Sequence, residues 1–213
     1  MRNIKLFLLL LAALALLGGC AGSRGSLGES PAVVELPEPP TRPDNLTPEQ
    51  KYIDQLLTKN GFNGYGKKPT VIVVHKLSRR LTTYRGLTPL KTYPIVLGRD
   101  PYNDKLRQGD MCTPEGVYRV KAKYPHHKWA WFIWLDYPNT QNWLKFGRAK
   151  QAGKLPPDAD IGGQIGIHGT EDELKNLLGR NWTQGCVSLS NKDMEDLYPL
   201  VDEKTTLVVI KRD

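Results

Sequence analysis

The chain has 213 residues, 39% of them hydrophobic, with 30 Lys+Arg against 22 Asp+Glu and a formal charge of +8. That length suits one folded domain with appendages and argues against a multidomain assembly. The positive balance fits an anionic wall polymer, a nucleic acid or a phospholipid surface, or simply a solvated basic face; no DNA- or RNA-binding motif accompanies it, so a nucleic-acid partner is set aside.

Residues 1–19 read as a targeting segment. Arg2 and Lys5 precede an apolar run from Leu6 to Leu17 that is too short to span a bilayer comfortably. Leu17-Gly18-Gly19-Cys20 resembles a bacterial lipobox, with Cys20 as the lipidated first residue of the mature chain. Ala21, with no Asp after the Cys, resembles the outer-membrane sorting pattern. The expected location is therefore the periplasmic face of the cell envelope, on a lipid anchor in the outer membrane. Residues 20–46 are rich in Gly, Ser, Pro and Glu, a composition that buries no core and reads as a flexible tether. Fully extended, it reaches on the order of 85 Å.

Residues 47–66 form a short helix and linker. Thr47 is the N-cap, Pro48 opens the first turn, Gln50 completes a capping box, and Gly61 is the stop. Ile53, Leu56 and Leu57 make its apolar face. From residue 67 the pattern changes to strands: 70–76, 79–85, 91–97, 117–124, 129–135, 164–168, 187–189 and 206–211. Pro94 marks the third as an edge or bulge. Residues 98–116 and 137–163 read as long loops. Short helices are expected over 171–178, with Thr170 as N-cap, and from Asn191 to Tyr198. Seven or eight strands with two or three small helices predict a mostly β sandwich or barrel-like sheet over 67–213.

The chemistry concentrates between His168 and Asn191. His168 stands in Ile-Gly-Ile-His-Gly, and Cys186 follows 18 positions later in Thr-Gln-Gly-Cys. A thiol is mostly protonated at neutral pH, so a nucleophilic Cys needs a base and a cradle of N–H groups. Gly169 and Gly185 permit the close backbone approach, and Thr183 is placed to hydrogen-bond across the turn. The competing reading is a small buried Cys and a histidine satisfying a carbonyl. His126 and His127, adjacent on a strand, are expected to face opposite ways; no Cys-x-x-Cys or His-Glu-x-x-His motif exists, so no metal site is expected. His75 reads as structural. Trp129 and Trp131 are expected on one face and Trp134 on the other, as core or as a sugar-stacking platform.

With these residues in view, the sequence resembles the L,D-transpeptidase catalytic domain family (YkuD-like), closest to its YafK-type branch. The matching blocks are Leu81-Thr82-Thr83-Tyr84-Arg85 with the loop into Thr113-Pro114-Glu115-Gly116, then Tyr137-Pro138-Asn139, then His168-Gly169-Thr170 with Thr183-Gln184-Gly185-Cys186-Val187. The resemblance implies a cysteine acyl transferase acting on peptidoglycan stem peptides at the diaminopimelate carbonyl, through a thioester on Cys186. His168 corresponds to the activating histidine, Thr183 to the family's Ser/Thr, and Gly185 to the oxyanion turn. No cofactor is implied. Gln184 stands where many members have a second His, and Ser188 where many have Arg or Asn. These departures keep open an L,D-carboxypeptidase or amidase that hydrolyses stem-peptide or lipoprotein–peptidoglycan links. Substrate-binding candidates are Arg99, Arg107, Tyr137, Asn139, Gln184 and Ser188, with Lys105 beside the two arginines. Cys112 reads as a bystander, with a redox-linked pairing to Cys186 as the alternative. A wall-binding lipoprotein without activity is the remaining reading.

Overall fold

The computed structural model describes residues 45–62 and 68–213. The targeting segment, Cys20 and nearly all of the expected tether lie outside the described residues.

Helix α1 (Pro48–Lys59) starts on the expected capping box, with Thr47 and Gln50 exchanging side chain-to-backbone hydrogen bonds. Strands β1 (Thr70–His75), β2 (Arg80–Arg85) and β3 (Thr88–Pro94) follow as an antiparallel meander. Next come β4 (Gly116–His126), β5 (Ala130–Leu135), α2 (Thr140–Gln151), β6 (Gly166–His168), α3 (Glu173–Leu177), β7 (Val187–Ser188), α4 (Asn191–Leu197) with a 3-10 turn, and β8 (Leu207–Lys211). All eight strands join one sheet in the order β3-β2-β1-β8-β4-β5-β6-β7. Past β3, Val96 forms an antiparallel bridge to Ser188 of β7, so the two ends of the sheet meet and it curls into a half-barrel. The mostly β fold is as predicted, with four α-helices among the described residues in place of two or three.

The run Val71–Val74 is buried throughout because both faces of the sheet are covered. Alternate residues split between them. Val71 and Val73 pack with Leu207, Val209 and Tyr84 under Ile53, Leu56 and Leu57 of α1. Ile72 and Val74 turn into the curl with Ile133, Leu135, Val208, Ile210 and, from α4, Met194 and Leu197. Glu49 of α1 adds polar fastening, through His75 at 2.8 Å, Lys211 at 3.0 Å and the Tyr84 hydroxyl.

Several boundaries differ from expectation. β3 runs over 88–94 because it pairs with β2 across the turn at Gly86; Ile95–Leu97 are buried but leave the strand to meet the 181–188 segment. α2 lies where a loop was expected. Its apolar signal is weak, since only Asn142, Phe146 and Ala149 are buried and one of them is polar. Its start rests on an Asn139–Asn142 capping box, a less conspicuous signature than Ser or Thr with Glu. α3 is capped by Asp172, whose backbone N–H is held by Thr170 Oγ1, and α4 is capped by Ser190. Asn191 instead clamps the backbone of Thr170, with Nδ2 donating to its carbonyl at 3.0 Å and Oδ1 accepting from its N–H at 2.8 Å.

Candidate active site

Cys186 sits at the end of a tight turn just before β7. Thr183 Oγ1 accepts from the Gly185 N–H at 3.1 Å and donates to the Cys186 carbonyl at 2.7 Å, closing the turn from within as expected. Gly185 has φ 141°, and a Cβ there would lie 2.7 Å from the Cys112 carbonyl oxygen, so only glycine fits. The turn is also pinned from outside. The Thr183 N–H donates to the Leu97 carbonyl at 3.2 Å, and the Arg99 N–H donates to the Thr183 carbonyl at 3.1 Å. Of the N–H groups around Gly185 and Cys186 expected to face an oxyanion, that of Gly185 is committed to Thr183 Oγ1.

His168 ends β6, in register with Phe132 of β5 on one side and Ser188 of β7 on the other. Its Nδ1 lies 2.7 Å from the Gly169 carbonyl oxygen. A carbonyl only accepts, so Nδ1 carries the hydrogen and Nε2 is the basic nitrogen. The ring is 1% exposed, and burial pulls its pKa down to about 4, against a smaller upward effect of the Gly169 carbonyl. Gly169 is obligatory here as well, since a Cβ would meet Asn191 Oδ1 at 2.2 Å.

Cys186 is half-buried at the wall of the cleft, and its thiol points at the Gln164 carbonyl, 3.6 Å away. Burial around the sulfur pushes its pKa up to about 11, with a hydrogen bond from the Gly166 backbone and, less, the charge of Lys105 acting in the opposite direction. The resting pair is therefore neutral thiol and neutral imidazole.

Both side chains open onto a cleft of about 760 Å³. Arg99, Lys105 and Gln184 line it as well, and Asp160 contributes a carboxylate. Lys105 is 3% exposed, with Nζ on Asp110 Oδ1 at 2.8 Å and on the Arg107 carbonyl at 3.0 Å. Asp110 organises this loop. Burial alone would raise its pKa, yet the N–H groups of Arg107, Cys112 and Leu106, together with Lys105, hold it below the usual carboxylate value.

The remaining substrate-binding candidates do not reach the cleft wall. The Arg107 side chain is exposed and turns to the Gln108 carbonyl. Tyr137 is buried, its hydroxyl donating to the Ile161 carbonyl at 3.1 Å. Asn139 caps α2 and donates to the Val117 carbonyl at 3.0 Å. Both are pieces of scaffold, Tyr137 as part of the core and Asn139 as the cap of α2. Ser188 is fully buried, and its Oγ donates to the Gly169 carbonyl at 3.0 Å, the same oxygen that holds His168 Nδ1. Asn176 Nδ2 donates to Ser188 Oγ at 3.0 Å, and Trp182 Nε1 donates to Asn176 Oδ1 at 2.9 Å. This relay was not foreseen from the sequence. Trp182 lies inside the Cys motif and Asn176 on the intervening helix, but nothing in their spacing shows that they meet.

Two expectations about aromatic and imidazole groups are corrected. His126 and His127 do not diverge: β4 ends at His126, strand alternation stops there, and the two rings stack at 4.7 Å. Trp129 and Trp131 do not share a face. Ala130 has φ 56°, which breaks the alternation; Trp129 stacks on His168 at 4.2 Å and Trp131 on Tyr198 at 4.2 Å. Cys112 is buried and unpaired with Cys186, its thiol pushed up to about 12 by burial and by nearby Asp110.

Residues 69–210 match the family model of the L,D-transpeptidase catalytic domain, and the chain belongs to that family. Among solved structures, the helical cell shape determining protein Pgp2 from Campylobacter jejuni has a similar fold, with a TM-score of 0.52 at 19% identity over 77% of this chain and 55% of that one. Bd1075 of Bdellovibrio bacteriovorus aligns with a TM-score of 0.48 at 22% identity, over 68% of this chain and 48% of that one. The chain thus spans about half the length of these relatives. No curated protein matches it.

Proposed function

We propose that the protein is a peptidoglycan-modifying cysteine acyl transferase of the L,D-transpeptidase type. The observation that carries this reading is the pairing, on one cleft of a domain of that family, of a turn-held Cys186 with a His168 whose Nδ1 is anchored and whose Nε2 is basic. Cys186 Sγ attacks the carbonyl of an L-centre, diaminopimelate, in a stem peptide, and His168 Nε2 takes the thiol proton. The Cys186 N–H faces the oxyanion. As the tetrahedral intermediate collapses, the C–N bond breaks and His168 returns the proton to the departing amine, leaving a thioester on Cys186. An acceptor amine then attacks the thioester, giving its proton to His168, which restores the thiol. Arg99 is the exposed cation on the cleft wall for the carboxylates of the stem peptide, Lys105 being committed to Asp110.

Hydrolysis is the second reading, with water as the acceptor and stem-peptide or lipoprotein–peptidoglycan links as substrates. The burial of Ser188 favours it, since this chain presents no side chain from that position to an incoming acceptor. Purified protein incubated with muropeptides separates the readings. Cross-linked or lipoprotein-joined products support transfer, whereas released D-Ala or free amine without any joined product supports hydrolysis. If wild type and Cys186→Ala give identical muropeptide profiles in cells, the enzymatic reading fails and a wall-binding role remains. Anchoring at Cys20 is part of the proposal, and metabolic palmitate labelling that persists in Cys20→Ser would overturn it.

A further inference from the structure

Taking a proton leaves His168 charged on the buried wall of the cleft with little compensation. The ring is 1% exposed, and among the described residues no carboxylate contacts it. The Gly169 carbonyl supports one ring nitrogen. The remaining contacts are aromatic, and they differ in kind. Trp129 lies against the imidazole face to face, with centroids 4.2 Å apart and planes 21° from parallel. Trp182 meets it at 5.7 Å with planes 65° apart, farther off and steeply tilted. Phe132 is parallel but more distant, at 5.7 Å. An indole face is the best aromatic partner for a cation, and the effect grows when water is excluded.

The placement of Trp129 is built into the backbone. The left-handed Ala130 turns Trp129 out of strand alternation and toward the site. The Gly169 N–H donates to the Trp129 carbonyl at 3.0 Å, and a Cβ on Gly169 would lie 2.5 Å from that oxygen. The residue after the base and the residue that stacks on it are thus tied by a contact that only glycine permits. Behind Trp129, the His126 ring stacks at 4.4 Å and 10°, and His127 backs His126 at 4.7 Å. The indole is held between two rings.

We propose that Trp129 is a positioning residue for the catalytic base, whose indole face orients His168 and stabilises the imidazolium formed when Cys186 gives up its proton, with His126 as its backing. The proposal rests on the acyl-transfer reading only for the step at which the charge appears. Fluorinated tryptophans, installed at position 129 alone, keep shape and packing while draining the π face. With muropeptide substrate, kcat is expected to fall stepwise with fluorination and KM to stay unchanged; Trp129→Leu is expected to lower kcat about tenfold and Trp129→Phe less. The His168-dependent part of Cys186 alkylation by iodoacetamide at pH 7, which is the rate lost in His168→Phe, is expected to fall in the same order. Equal rates across the fluorinated series, in turnover and in alkylation, would overturn the proposal. A protein that turns over no muropeptide, yet shows the graded alkylation, would overturn the substrate reading and leave this one standing.

Discussion

At the residue scale, His168 and Cys186, the proposed base and nucleophile, rest uncharged. Burial is the main cause for both, and it works in opposite directions on an imidazole and a thiol. Iodoacetamide should therefore react slowly with Cys186 near neutral pH, the rate climbing toward pH 11, which a pH series of alkylation rates reads directly. The same shift links to stability. His168 has a folded pKa of about 4, below the unfolded 6.5, so the fold binds fewer protons. Its contribution is complete above 6.5 and is lost as pH falls toward 4, by roughly 3 kcal/mol. Urea titrations at pH 7 and 4.5 should show that loss, and His168→Phe should reduce it. Ser188 has a different role from the one its position suggested. It reinforces the carbonyl that orients His168, so Ser188→Ala and Asn176→Ala should each lower kcat several-fold, an effect of about 1 kcal/mol for a neutral hydrogen bond, with KM unaltered.

At the element scale, the two faces of the sheet separate stability from chemistry. α1 covers the face of β1 and β8 that carries Val71, Val73 and Val209, while the reactive turn belongs to the opposite end of the sheet, beside β6 and β7. Ile53 is fully buried there. Ile53→Ala should cost about 2–5 kcal/mol in denaturant unfolding and leave kcat unchanged. α2 offers a sharper comparison, because Asn139 is either a substrate contact or a cap. The structure makes it a cap with an added bond to Val117. Asn139→Ala should lower stability by about 0.5–2 kcal/mol with KM at the wild-type value, measured by thermal unfolding and steady-state kinetics.

At the scale of the whole molecule, the curled sheet closes the site. Segment 95–99 leaves the β3 edge and pins the turn before β7 through Val96, Leu97 and Arg99, so the first and last strands of the sheet jointly hold the nucleophile. Cys20→Ser should abolish palmitate labelling and release the protein from membranes, with kcat of the released protein unchanged.

The sequence carried whatever depends on neighbours within a few residues. Caps, turn glycines, the alternating strands, the order of His before Cys and the hydrogen bonding of Thr183 across its own turn are of this kind. They were enough for the fold class and for singling out His168 and Cys186 as candidates, with the family resemblance weighting them toward catalysis. The meeting of Ser188 with Gly169, of Asn176 with Ser188 and of Trp129 with His168 belongs to another class, because each depends on sheet register or on one left-handed residue, Ala130. Helix α2, with a polar residue in its buried stripe, likewise emerged only with the assembled chain. Local propensity acts over a turn or a strand, whereas the environment of a catalytic group is made by segments brought together when the core closes.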